Sequence, residues 1–175
     1  MRKISFYGEN MKQNNIIRKT SDEKGKHDFL LDILQKIEID KMRKYPFNSR
    51  SNIGYYLTWY YFFAPEEYAC AVYLDEQNHY IDTSPLQTGD CKHTDFIPDK
   101  IASECKLRRA HSFIVAHNHK NKPLTPSPED IATTNALYSR FKNENIKFTD
   151  HYIVSGFDYV TLLSKTLSER RYDVI

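Results

Sequence analysis

The chain has little cysteine, little net charge and no apolar run long enough to cross a membrane. Its three cysteines, Cys70, Cys91 and Cys105, stand at unrelated spacings. An odd number at such spacings predicts buried thiols in a reducing compartment rather than a disulfide framework. The apolar stretch 53–64 is too short and too rich in tyrosine to span a bilayer, and no apolar segment follows the first charges as in a secretory signal. These absences predict a cytoplasmic protein with no membrane partner.

Several common signatures of catalytic and cofactor sites are also missing. The sequence has no His-Glu-x-x-His, no Cys-x-x-Cys pair and no glycine-rich phosphate loop. The letters His-Asn-His at 117–119 are not the nuclease motif of that name, whose residues are spread over tens of positions. The net charge of +2 is too small to indicate nucleic-acid binding by itself. With 175 residues, of which 40% are hydrophobic, the chain is long enough for one well-packed domain.

One segment places two imidazoles, a hydroxyl and a carboxylate at fixed offsets. His117 and His119 follow the apolar run 112–116, which predicts a buried strand, and alternate strand residues point to the same face. After seven intervening residues, 120–126, comes Ser127, which predicts the N-cap of a helix with Asp130 in its first turn. A strand end and a helix start would thus bring two nitrogens and one oxygen to a common point. Three protein ligands with a fourth position open are typical of a catalytic zinc site.

The same residues also have a purely structural interpretation. Ser127 and Asp130 have the spacing of a capping box at the start of a helix. The two histidines would then be hydrogen-bonded surface groups. A cap, however, does not require a His-x-His pair at the end of the preceding strand. The conjunction of the two patterns therefore favours a metal site.

The string His-x-His-x7-Ser-x-x-Asp resembles the metal-binding signature of the JAB/MPN (JAMM) metallopeptidases. The wider sequence is similar to the RadC branch of that family over about residues 51–164, and it departs in the metal loop. There the RadC pattern usually has Pro-Ser-Gly after the second histidine, whereas this chain has Lys120-Asn121-Lys122. The segments that carry the resemblance are 67–75, 116–119, 126–131, 150–156 and 159–164.

The resemblance implies an α/β fold: a single JAB/MPN-like domain with cytidine-deaminase-like layers, in which helices flank a mixed central sheet. The expected organisation is a basic, flexible arm at 1–26, an N-terminal helix at 27–50, the RadC-like domain at 51–166 and a tail at 167–175. Apolar periodicity predicts helices over 27–43, from 49 or 51 to 64, over 98–107 with Ile101 and Leu107 inward, and over 128–143. Strands are predicted at 68–74, 79–82, 112–119, 152–154 and 159–163.

The resemblance also implies a role for each site residue. His117, His119 and Asp130 are expected to bind Zn²⁺, which lowers the pKa of a bound water to about 7. Glu67 is implied as the general base. Ser127 is implied as the hydroxyl that hydrogen-bonds the tetrahedral oxyanion, although it could serve only as a cap.

Three further polar residues are expected to support the site rather than bind the metal. Asn118 points away from its neighbouring histidines, because it lies on the opposite face of the strand. Asp150 and His151 match an Asp-His pair of the family. They are predicted to be structural or to hydrogen-bond the ligands.

The function implied is that of a zinc-dependent hydrolase of amide or isopeptide bonds, acting on a peptide or protein-conjugate substrate. The alternative is a non-catalytic or nucleic-acid-associated module of a DNA repair or mobile-element system, whose basic arm contacts phosphates. Zinc content with Glu67-dependent peptidase activity would favour the hydrolase. DNA binding that falls steeply with salt and ignores the loss of Glu67 would favour the alternative. The sequence leaves the oligomeric state open.

Overall fold

The computed structural model describes residues 23–88, 97–120 and 122–163. The chain divides into two units, 1–38 and 39–175. Residues 1–22 of the predicted flexible arm lie outside the described residues. Cys91 and the predicted tail also lie outside them. Helix α1 (Glu23–Met42) begins four residues before the start predicted at His27.

The described part of the first unit, residues 23–38, is helical. It contains no proline, and Lys36 pairs with Asp32 one turn earlier at 2.8 Å. The apolar periodicity that predicted this helix is present as a stripe on its surface. Four large apolar residues of that stripe are exposed: Phe29, Leu30, Leu34 and Ile37.

The second unit is built on a five-stranded sheet with the order β2-β1-β3-β4-β5. β3 and β4 pair in parallel and the other neighbours are antiparallel, so the sheet is mixed, as predicted. The strands are β1 (Tyr68–Leu74), β2 (Tyr80–Thr88), β3 (Ser112–Asn118), β4 (Lys147–Ser155) and β5 (Asp158–Thr161).

In the described ranges, three helices cover the two faces of this sheet. Helix α2 (Arg50–Tyr61) packs in one core cluster with alternate β1 residues such as Val72. Helices α3 (Ile97–Arg108) and α4 (Pro128–Phe141) pack in the other cluster with the intervening β1 residues, of which Tyr73 is one. Because both faces of β1 and β3 are covered, these strands are almost continuously apolar. The helix-sheet-helix layers confirm the predicted α/β fold class.

A local capping residue explains where α2 begins. α2 begins after Ser49, whose hydroxyl accepts the Asn52 amide at 3.1 Å.

In α3, Ile101 is buried as predicted, but Leu107 is 78% exposed and its predicted inward position is wrong. The buried face of α3 follows Ile101 and Cys105, four residues apart, and Leu107 lies about 200° further round the helix from Cys105.

The sheet register fixes which residues meet at the carboxyl end of β3. Ala69 of β1 lies opposite His117 of β3 in an antiparallel pair. The residue two before Ala69, Glu67, therefore lies beside the chain that leaves β3. On the other side of β3, His151 of β4 lies opposite Val115 in a parallel pair. None of the helices in the described ranges is long and apolar enough to cross a membrane.

Candidate metal centre

The end of β3 and the first turn of α4 bring two imidazoles and a carboxylate together. The Nε2 atom of His117 lies 3.1 Å from Nε2 of His119 and 3.2 Å from Oδ1 of Asp130. The Nε2 atom of His119 lies 3.9 Å from Oδ2 of Asp130. Ligands about 2.1 Å from a tetrahedral zinc ion lie about 3.4 Å from one another. The three groups are thus spaced as the ligands of one small cation would be.

The cluster is neither sealed in the core nor spread on the surface. The side chains of His117, His119 and Asp130 are 16%, 12% and 15% exposed, respectively. A site closed on all sides could hold only a structural ion, whereas the side chains of this one are partly exposed. An additional ligand such as water or a substrate carbonyl could approach there.

His119 is oriented by a backbone carbonyl. Its Nδ1 atom lies 2.8 Å from the carbonyl oxygen of Pro123. Because a carbonyl oxygen can only accept a hydrogen bond, Nδ1 carries the imidazole proton. The lone pair of the neutral ring is then on Nε2, which faces His117 and Asp130.

His117 is held from behind by the imidazole of His151 on β4. The Nδ1 atom of His117 lies 3.0 Å from Nε2 of His151. Burial lowers the pKa of His117 below its ordinary value, although the Asp130 carboxylate opposes this effect. Burial also lowers the pKa of His151 to about 3, so both rings are neutral at neutral pH. His151 thus contacts a candidate ligand from the side away from the cluster.

Asp130 uses its two carboxylate oxygens differently. Its Oδ2 accepts hydrogen bonds from the backbone amide of Ser127 at 2.7 Å and from the Ser127 hydroxyl at 2.8 Å. The Ser127 oxygen in turn accepts the Asp130 amide at 3.1 Å, which completes a capping box. The other oxygen, Oδ1, faces His117. The cap and the cluster therefore coexist on one carboxylate.

The Asp130 carboxyl is ionised over the physiological range. Partial burial raises its pKa, but the neighbouring His117 and the two Ser127 hydrogen bonds outweigh that effect. The net pKa of Asp130 therefore lies below its ordinary value. A metal ion would find an anionic oxygen here without displacing a proton.

Glu67 lies next to the loop that follows His119, outside the group of three convergent side chains. Its Oε1 accepts the Lys120 amide at 3.0 Å, and its Oε2 accepts the Lys122 ammonium at 2.7 Å. Partial burial raises the pKa of Glu67, but Lys122, the Lys120 amide and the nearby His119 lower it more. Glu67 is therefore an ionised carboxylate with free lone pairs beside the cluster.

Asn118 fixes the segment that carries Glu67. Its Oδ1 accepts the Tyr68 amide at 3.0 Å, and its Nδ2 donates to the Glu66 carbonyl at 3.1 Å. The side chain therefore points away from the two histidines, as the strand alternation predicted. It ties the start of β1 to the end of β3.

Asp150 has a structural position. Its Oδ1 accepts the backbone amides of His151 and Leu163, each at 2.8 Å, and its Oδ2 lies 3.6 Å from Nε of Arg50. Burial raises the pKa of Asp150 above its ordinary value. The carboxyl joins β4 to the end of the described chain and does not reach the metal cluster.

Two contacts of the site were not anticipated from the sequence. The Thr134 hydroxyl lies 2.8 Å from Nδ1 of His151, and Lys122 pairs with Glu67. The position of Thr134 could have been predicted from the sequence, because it is four residues after Asp130 and so lies on the same face of α4. The contact of Lys122 could not have been predicted, since this residue lies in a loop whose path depends on tertiary contacts.

The sequence is similar to one family model and to several curated proteins. The model of the RadC-like JAB domain matches residues 47–167, more than half of the chain. A UPF0758 protein of Janthinobacterium sp. is 33% identical over 92 residues, which are 53% of this chain and 41% of that protein. A UPF0758 protein of Bacillus cereus is 27% identical over 129 residues, 74% of this chain and 57% of that protein. The chain thus spans about half the length of the curated relatives it matches.

Proposed function

Since the chain belongs to the RadC-like JAB domain family, we propose that it is a zinc-dependent hydrolase of amide or isopeptide bonds. The observation that carries the proposal is the convergence of His117, His119 and Asp130 on one point at the end of β3. Three lone-pair donors at 3.1 to 3.9 Å repel one another unless a cation or a proton lies between them. The Nδ1 proton of His119 is already donated to the Pro123 carbonyl, so a neutral His119 ring has no proton to place between these atoms. A cation would satisfy all three lone pairs at once.

The donor set fits zinc. Two imidazole nitrogens and one carboxylate oxygen are ligands that Zn²⁺ accepts in catalytic sites, and they leave a fourth position for another molecule. With one carboxylate and two neutral imidazoles as ligands, a zinc site here would carry a net charge of about +1. A zinc ion held there would act as a Lewis acid and activate water near neutral pH.

The residues of the chain supply the proton transfer and the orientation. Glu67 is ionised and lies beside the cluster, so it is the group that accepts the proton of the attacking water and later returns it to the leaving amine. Asn118 holds the start of β1 and thereby the position of Glu67. Asp130 and the two histidines hold the metal.

Ser127 is the proposed donor to the oxyanion. Its single O–H here donates to Oδ2 of Asp130. Asp130 keeps a second hydrogen bond at that oxygen, from the Ser127 backbone amide. The hydroxyl can therefore rotate toward a developing oxyanion without leaving the carboxylate unsupported. This catalytic role stays a prediction beside the cap that the structure contains.

The proposed substrate is a peptide or a protein conjugate, and a cytoplasmic location remains part of the proposal. The nucleic-acid alternative rested on the basic arm, which lies outside the described residues up to residue 22. The two lysines just after His119 contact protein groups. Lys122 pairs with Glu67, and the Lys120 ammonium donates to the Pro65 carbonyl. These contacts give the alternative no particular support.

The test compares Glu67→Gln with Glu66→Gln in zinc-loaded protein, against a panel of peptides and isopeptide-linked conjugates. Glutamine keeps the shape of Glu67 but cannot accept a proton from water. We expect wild-type zinc content in both variants, and a fall in turnover on the order of 10² to 10⁴ only for Glu67→Gln. The exposed neighbour Glu66 is the matched control.

Three results would count against this proposal. Full activity in Glu67→Gln would remove Glu67 from the mechanism. Loss of zinc from that variant would make Glu67 a ligand instead. No cleavage by the zinc-loaded wild type, together with DNA binding that falls steeply with salt, would favour the nucleic-acid alternative.

A further inference from the structure

Three hydrogen bonds in series connect α4 to the candidate metal centre. The Thr134 hydroxyl donates to the Asp130 carbonyl oxygen at 2.7 Å. The same hydroxyl oxygen lies 2.8 Å from Nδ1 of His151, and Nε2 of His151 lies 3.0 Å from Nδ1 of His117. Thr134 and His151 are buried, so water does not compete for these contacts.

The direction of each hydrogen bond follows from the first. A carbonyl oxygen has no proton to give, so the single Thr134 proton points at Asp130. Toward His151 the Thr134 oxygen must therefore accept, which places the imidazole proton of His151 on Nδ1. The Nε2 atom of the neutral His151 ring is then an acceptor, and the proton between the two rings belongs to Nδ1 of His117.

We propose that Thr134 and His151 are positioning residues that hold His117 in the tautomer whose Nε2 lone pair faces His119 and Asp130. The series begins at the backbone of one candidate ligand, Asp130, and ends at the ring of another, His117. It therefore sets both the orientation of the His117 ring and the atom that is free to bind. The metal-binding consequence rests on the proposed function, whereas the tautomer is a property of the metal-free chain.

Removing the Thr134 hydroxyl should change which ring nitrogens of His151 and His117 carry the proton. In Thr134→Val the Nδ1–H of His151 has lost its acceptor in a buried site, which is unfavourable. The ring satisfies itself better by moving its proton to Nε2 and donating to His117. The His117 ring must then carry its own proton on Nε2, where it points at the cluster and blocks a metal ion.

The experiment measures imidazole tautomers in metal-free, ¹⁵N-labelled protein by long-range proton–nitrogen NMR, and zinc affinity by competition with a chelator. In the wild type we expect His117 protonated on Nδ1 alone. Thr134→Val should give a mixture of His117 tautomers and a fall in zinc affinity of about 10- to 100-fold. Thr134→Ser restores the hydroxyl and should restore both readouts.

Thr58→Val is the matched control. Thr58 is also a buried helical threonine, and its hydroxyl donates to the Tyr55 carbonyl at 2.9 Å on α2. The substitution removes the same group away from the site. We expect a comparable loss of stability with unchanged His117 tautomer and zinc affinity, which separates positioning from general destabilisation.

The outcomes distinguish this inference from the proposed function. A wild-type His117 protonated on Nε2 would overturn the inference without any variant. Unchanged tautomer and zinc affinity in Thr134→Val would overturn it while leaving zinc binding intact. The expected tautomers in a wild type that binds no zinc would instead refute the proposed function.

Discussion

The substitution Asp130→Asn separates the two contacts of the Asp130 side chain. One oxygen closes the cap of α4 by accepting two hydrogen bonds from Ser127, and the other faces His117 at 3.2 Å. The amide oxygen of asparagine can accept the same two hydrogen bonds. Its NH₂ group then takes the place of Oδ1 and donates toward His117, where a ligand is required.

The expected effects on stability and on metal binding differ in size. Folding loses a negative charge at a helix N-terminus, which contributes about 0.3–1 kcal/mol. The melting temperature of the metal-free protein should therefore fall by no more than about 2–4 °C. Zinc binding loses its one anionic ligand, and we expect a loss beyond the roughly 10- to 100-fold typical of an outer hydrogen-bond partner.

Ser127→Ala should cost a similar amount of stability but less zinc affinity. It removes the acceptor of the Asp130 amide at the helix start, which decreases the free energy of unfolding by about 1 kcal/mol. The Asp130 carboxylate keeps the Ser127 backbone amide and its place beside His117. Zinc affinity should therefore fall by no more than about 10- to 100-fold.

Urea unfolding of the metal-free proteins and chelator competition with zinc measure the two quantities separately. If Asp130→Asn bound zinc as tightly as the wild type, the carboxylate would be only a cap. If it decreased the free energy of unfolding by more than about 2 kcal/mol, the assumed retention of the capping oxygen would be wrong.

Two further substitutions test the surroundings of the site. Lys122→Ala removes the ammonium that, against partial burial, helps keep the pKa of Glu67 low, so the acid limb of the pH–rate profile, where Glu67 becomes protonated, should move to higher pH. An unmoved limb would contradict Glu67 as the base. Gly54→Ala places a methyl group against the ring of Tyr159, so denaturant unfolding should show a loss of about 1–3 kcal/mol despite a better helix propensity. A more stable variant would show that the ring moves aside freely.

The parts of the site that depend on local periodicity could be predicted from the sequence. The apolar run before His117 specifies a buried strand, and its period of two places His117 and His119 on one face. Ser127 specifies the start of α4, and Asp130 follows in its first turn. Two local signals thus sufficed to anticipate which three side chains converge.

The parts that depend on tertiary pairing could not be derived in this way. His151 reaches His117 only because β4 pairs in parallel with β3, a long-range choice that local patterns do not encode. β2 runs to Thr88, beyond the predicted end at residue 82, because a register shift lets Pro85 stay in the pairing with Cys70. The loop lysine Lys122 could not be placed against Glu67 without the path of the chain.

The most direct test of the account is the zinc content of the protein and of its histidine variants. Elemental analysis after chelation and zinc reconstitution should give about one zinc ion per wild-type chain, and His117→Ala and His119→Ala should each lose it, because two remaining ligands bind zinc weakly. His111→Ala is the control, since His111 is an exposed residue just before β3. Absence of a stoichiometric divalent ion from the reconstituted wild type, or full zinc content in His117→Ala, would contradict the metal centre.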